Sequence, residues 1–124
     1  MIRTSRGEVA VEDLTSDDKV LTVEGVYRPI LWLGRRYIDC TRHNAPEHVW
    51  PVRIMRDAIS LGVPARDLYL SPDHAVFLDH MLVPAKYLLN GTTIVQVRMI
   101  EVMYYHVELD RHDVLLAEGL PVET

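Results

Sequence analysis

The sequence predicts a mainly β domain, and three observations predict it. The apolar residues come in short runs punctuated by turn signals, no stretch sustains a helical period, and part of the N-terminal third is echoed 74 positions later. At 124 residues, 48% of them hydrophobic, the chain is expected to fold as a single domain spanning 1–124 around one core.

Strands are expected over 19–23 and 26–33, joined by a turn at Glu24-Gly25. Pro29 falls inside the second run and marks an edge strand or a bulge, because proline has no N–H to give to a central ladder. Further strands are expected over 51–55, 67–70, 75–78, 93–98, 100–109 and 113–117, with a short helix over 56–62. Asn90-Gly91 and Glu118-Gly119 are turn signals. A shift of 74 lays Val9, Val11, Leu14 and Val20 on Val83, Ala85, Leu88 and Ile94. Each copy reads as a short strand, one helical turn ending in leucine, a polar turn and a second strand. The echo implies two halves related by a pseudo-twofold axis, with a site where they meet.

Composition excludes several function classes. A net charge of −5 opposes a nucleic-acid surface, since phosphate binding is dominated by Lys and Arg. Arg35, Arg36, Arg42, Arg53, Arg56 and Arg66 have acidic residues interspersed among them and read as a mixed solvated surface. No apolar run approaches the roughly 20 residues that span a bilayer, so no membrane partner is expected. The start, Met1-Ile2-Arg3-Thr4, has no apolar signal region, which fits an intracellular protein or a piece cut from a longer one. Cys40 is the only cysteine, so no internal disulfide forms and the redox compartment stays open.

Six histidines supply the chemistry-bearing residues. His74 closes Leu70-Ser71-Pro72-Asp73-His74, just after an expected strand, where Pro72 sets a turn. An imidazole held there can give and take a proton near neutral pH, as acyl transfer requires. The bland alternative is a turn histidine bonded to local backbone. His106 shares a strand face with Tyr104 and Glu108, opposite Tyr105, Val107 and Leu109. His112 falls at an expected hairpin tip between Asp110 and Asp113. The spaced pairs His43/His48, His74/His80 and His106/His112 match neither a His-Glu-x-x-His helix nor a cysteine–histidine zinc pattern, so no metal or other cofactor is expected. Cys40, in Asp39-Cys40-Thr41, reads as a small buried hydrophobe. No serine elbow and no phosphate-cradling glycine loop appears.

Four segments together resemble the bacterial hedgehog/intein Hint family over nearly the whole chain. They are residues 2–14 followed by Asp17-Asp18-Lys19-Val20-Leu21-Thr22, the Leu70–His74 string, Val83-Pro84-Ala85-Lys86-Tyr87-Leu88 with Asn90-Gly91, and residues 105–119 ending in His-Asp-Val-Leu-Leu-Ala-Glu-Gly. The resemblance implies a horseshoe-like β fold of two pseudo-symmetric halves. It also implies autoprocessing, in which an N-terminal cysteine attacks the preceding peptide carbonyl and converts amide to thioester. By this likeness His74 protonates the departing nitrogen and Ser71 orients the scissile peptide. His106 stands where many inteins carry an aspartate or cysteine, and His112 resembles a histidine that supports later steps. The partner implied is the domain's own N-terminal flanking polypeptide.

Two departures qualify the expectation. The Cys-led, Gly-Thr-containing segment that precedes Ile2 in the family is absent, and Val122-Glu123-Thr124 stands where splicing inteins end in His-Asn. Splicing is therefore not expected, nor is N-terminal cleavage by these residues alone, and no following region could select a sterol. The expected function is a Hint-type autoprocessing domain, inactive as written. The alternatives are a degenerate Hint module with a structural or interaction role and, more remotely, a metal-dependent hydrolase.

Overall fold

The computed structural model describes residues 1–124 and contains thirteen short strands. In chain order they are β1 (Ile2–Thr4), β2 (Gly7–Val9), β3 (Lys19–Leu21), β4 (Tyr27–Pro29), β5 (Trp32–Asp39) and β6 (Val52–Ile54). There follow β7 (Leu68–Leu70), β8 (Ala75–Leu78), β9 (Met81–Pro84), β10 (Ile94–Gln96), β11 (Glu101–Glu108), β12 (Val114–Ala117) and β13 (Leu120–Glu123). Only single 3₁₀ turns interrupt them, and no helix is long and apolar enough to cross a membrane.

The largest sheet runs β4-β3-β1-β12-β13-β8-β9, with β2 also paired to β1. A second sheet runs β10-β6-β7, and β5 pairs with β11 as a separate two-stranded ribbon. Pro29 lies in β4, at the edge of the large sheet, where its missing N–H costs no ladder bond.

The echo in the sequence is a structural repeat. The β1–β2 hairpin pairs Ile2 with Val9, Arg3 with Glu8 and Thr4 with Gly7. The β8–β9 hairpin pairs Val76 with Val83, Phe77 with Leu82 and Leu78 with Met81, each position 74 residues later. A 3₁₀ turn follows each hairpin, at Val11–Asp13 and at Ala85–Leu88, and then β3 or β10. Val9/Val83 and Leu14/Leu88 thus hold equivalent places. Alternation sends one side of each short strand inward. Val20, Val52, Ile54, Val76 and Leu120 are fully buried in one 17-residue core, and each such side chain contributes about 1.5–3 kcal/mol relative to exposure.

Three local expectations are corrected. The run over 26–33 is two strands, because the chain changes partners in the middle. The Ile30 N–H bonds to the Asp18 carbonyl of the large sheet, whereas the Leu31 N–H bonds to Glu108 in the ribbon. Residues 56–62 form a closed loop in place of a helix. Asp57 and Gly62 both take positive φ (65° and 79°), and the Asp57 carboxylate accepts the Gly62 N–H at 2.6 Å. His112 is not at a hairpin tip, since β11 pairs with β5 while β12 pairs with β1 and β13. The chain turns from ribbon to sheet at Leu109, which is buried.

Asp18 anchors the first half. Its carboxylate accepts from Arg6 Nε at 2.6 Å and from the Thr15 N–H at 2.9 Å. The Arg6 hydrogen bond, reinforced by Thr15, holds the Asp18 carboxyl at about 2, below its ordinary value. A depressed folded-state value stabilises the fold above the ordinary Asp range near ~3.9, and that contribution disappears as pH falls toward ~2. Urea denaturation of the native chain and Asp18→Asn should therefore show a stability gap at about pH 6 that closes on acidification toward pH ~2. A gap that does not change with pH would mean the ionised carboxylate contributes nothing.

Candidate functional site

The repeat brings distant segments to one cleft of about 840 Å³. Its walls are the start of β1, the β7–β8 connection, the β5–β11 ribbon and the end of β13.

The β7–β8 connection carries Ser71 and His74, and both line the cleft. Local hydrogen bonds set its shape. The His74 N–H donates to the Ser71 carbonyl at 3.1 Å, closing the turn that Pro72 begins. The Lys86 N–H donates to the Pro72 carbonyl at 2.9 Å and the Ala85 N–H to the His74 carbonyl at 2.9 Å, tying the turn to the 3₁₀ segment. On the outside, Lys86 Nζ meets Asp73 Oδ1 at 2.7 Å, and this bond raises the Lys86 pKa. His74 is therefore more than a locally bonded turn residue. Its Nε2 reaches across to the Glu123 carbonyl at 2.8 Å, 49 residues away.

The ribbon supplies the facing wall. Antiparallel register sets Gly34 opposite His106, Trp32 opposite Glu108 and Arg36 opposite Tyr104, so these side chains share a face. The expected alternation holds in burial, since Val107 and Leu109 are buried while His106 and Glu108 are exposed, and His106 and Val107 both line the cleft. The Trp32 ring sits 6.0 Å from the His106 ring, tilted by 54°. A Cβ at Gly34 would clash with the edge of the Trp32 indole, so glycine is what lets the indole lie across the strand beside His106. The Tyr104 hydroxyl donates to the Val49 carbonyl, and burial pushes its phenol up.

His112 does not line the cleft. Its Nε2 lies 3.1 Å from Glu123 Oε2, so it reaches the site through that carboxylate. The other Glu123 oxygen accepts the Ala75 N–H at 2.9 Å. Glu123 is thus the residue that sequence reasoning missed, although it joins two of the histidines singled out. A glutamate ending an otherwise apolar strand, Leu120-Pro121-Val122-Glu123, is the only signal that pointed to it. No group of three or more His, Cys, Asp or Glu residues is placed to hold a metal ion.

The profile of the Hint domain family matches residues 1–124. The chain belongs to the Hint domain family. Among solved structures, this Hint domain is similar to the crystal structure of the MchDnaB-1 intein, with a TM-score of 0.67 at 11% identity, covering 98% of this chain and 93% of that one. A variant of the same intein matches with a TM-score of 0.66 at 11% identity, covering 98% and 92%. At this identity the likeness establishes the fold. No curated protein sequence matches the chain.

The Hint domain's one cysteine is outside the cleft lining. Cys40 is 3% exposed and packs with Ile38 and Val49. Burial, with the Asp39 carboxylate beside it, pushes the thiol up, so little thiolate forms. Incubation of the chain with excess thiol or hydroxylamine should leave its intact mass unchanged. A fragment ending before Cys40 would show that this thiol reaches a peptide carbonyl after all.

Proposed function

We propose that this Hint domain is built to cleave the peptide bond joining it to its own N-terminal flanking polypeptide, through an N-to-S acyl shift. The observation that carries the reading is the convergence of Ser71, His74 and His106 on the cleft that receives the start of β1. The β7–β8 connection and β11 lie far apart in the chain, and a purely structural β domain has no need to gather these side chains there.

The shift has a simple balance. A cysteine thiol at the head of β1 adds to the preceding carbonyl carbon, forming a C–S bond. The C–N bond breaks, and the proton that left sulfur ends on the departing nitrogen. Expelling an unprotonated amide nitrogen is prohibitive, so the step needs a positioned acid. His74 fits that role. A carbonyl only accepts, so the 2.8 Å contact with Glu123 means that Nε2 carries a hydrogen. Nδ1 is then the ring nitrogen left to take the thiol proton and hand it to the leaving nitrogen. Ser71, three residues before His74, can orient the scissile peptide, and His106 can assist from the ribbon face.

Cys40, the one cysteine of the 124 residues, is buried away from the cleft lining. In this reading the attacking thiol is carried by a segment joined to Met1.

The test grafts a passenger followed by a Cys-led, Gly-Thr-containing segment onto Met1 and measures thiol-induced release. His74→Ala should lose about 10²–10⁴-fold in rate. His106→Ala should lose less, and Ser71→Ala should act mildly. Equal release without His74 would refute the mechanism. A graft that folds and never cleaves would favour a degenerate module kept for structure or interaction.

A further inference from the structure

We infer that Glu123 is the positioning residue that fixes the His74 imidazole, and that His112 acts by holding Glu123. The catalytic consequence rests on the acyl-shift reading above, whereas the positioning itself does not.

Glu123 makes three separate contacts around His74. Its main-chain carbonyl accepts from His74 Nε2 at 2.8 Å. Its carboxylate Oε1 accepts the N–H of Ala75, the residue directly after His74, at 2.9 Å. Its Oε2 lies 3.1 Å from His112 Nε2. The first two contacts grip one residue pair from two sides. The side chain holds the backbone just beyond His74 while the carbonyl of the same residue holds the ring. The neighbouring register reinforces the grip, because Val122 pairs with Val76 in the β13–β8 ladder. On the other side, the Asp113 N–H bonds to Thr124 Oγ1 and the Thr124 N–H to the Asp113 carbonyl, which keeps His112 beside the end of β13.

Donor and acceptor counting makes the arrangement specific. An ionised carboxylate only accepts, so both of its partners must donate. Ala75 N–H always does, and His112 does so only with its hydrogen on Nε2. A carbonyl likewise only accepts, which requires hydrogen on His74 Nε2. Both rings are thereby held in the same tautomer, and His74 keeps Nδ1 without a hydrogen in the neutral ring, ready to receive a proton. Asp in place of Glu123 would be too short to span both contacts. Gln would keep one acceptor but turn the other into a donor. His112 is 60% exposed, so its bond contributes little energy and serves to aim the carboxylate. None of this follows from Ser71, His74 or His106 alone. It makes the end of β13 part of the site without its touching the scissile bond.

The test reads ring tautomers directly, by ¹⁵N NMR of histidine-labelled 124-residue chain at about pH 8.5, some two units above the ordinary histidine value. In the native chain both His74 and His112 should carry hydrogen on Nε2, with the His74 Nε2–H slow to exchange. Glu123→Gln should leave His74 unchanged and move His112 to the Nδ1–H form, because the new amide donates to Nε2. Glu123→Ala keeps the carbonyl but removes the side-chain grip on Ala75, so the His74 Nε2–H should exchange at least tenfold faster. An unchanged His74 signal in a folded Glu123→Ala chain would overturn the inference. If that variant fails to fold, Glu123→Gln decides, and an unchanged His112 tautomer there would overturn it. In the grafted chain, Glu123→Ala should slow release at least tenfold while Glu123→Gln stays within about threefold of the native rate. A graft that never cleaves refutes the acyl-shift reading and leaves the tautomer result standing on its own.

Discussion

Everything about this cleft depends on one piece of strand pairing, the insertion of the C-terminal hairpin between the two halves of the repeat. β12 pairs with β1 and β13 with β8, so β12–β13 bridges the two equivalent hairpins. Leu115, Ala117, Leu120 and Val122 point into the shared core and are almost wholly buried. Side-chain alternation leaves Glu123 next in line, at the strand end beside the β7–β8 connection. A shift of one residue in this ladder would turn Val122 outward and bury the carboxylate. The register that fills the core therefore also delivers an acceptor to His74.

The same economy governs the ribbon. β5 and β11 come one from each half and pair along eight positions. One face buries Val107, while the other lays Trp32 over Gly34 beside His106. A two-stranded ribbon is marginal by itself, and here its far end is held by a second cluster of Ile38, Cys40 and Val49. The lone thiol is thus committed to packing. The cluster keeps it from water and raises its pKa, so it can support the cleft wall and cannot compete as a nucleophile.

Much of this was legible in the sequence because it is local or repeats. The hairpin–turn–strand unit recurs at a fixed offset, and each copy carries its own turn signals, so the repeat could be read without any long-range information. The second half of β5 could not, because Gly34, Arg35 and Arg36 mask its alternation until the partner strand is known. β13 was hidden by Pro121, which demotes a strand by any local rule and sits here beside the hairpin turn. The 56–62 loop misled because the positive φ at Asp57, which ends any helix there, has no strong local signature. Ser71, His74 and His106 could be named from their strings. Glu123 could not be, since its partners lie 48 and 49 residues earlier and only the folded sheet brings them together.

These constraints separate two tasks that autoprocessing has to combine. His74 is held by main-chain bonds and by a carboxylate with both oxygens engaged, and His106 by a ribbon whose register is set by its whole length. None of those restraints involves a cysteine. A nucleophile joined to β1 would arrive at the end of a strand whose position is already set by β2, β3 and β12. Under the proposed acyl shift, preorganisation of this kind would let the fold, and not the attacking group, carry the cost of aligning an acid with the peptide. Replacing such a nucleophile would then remove the reaction without relaxing the site. A scaffold stabilised independently of its own chemistry can persist as a folded module after the chemistry is gone, which is why both readings of this domain draw on the same architecture.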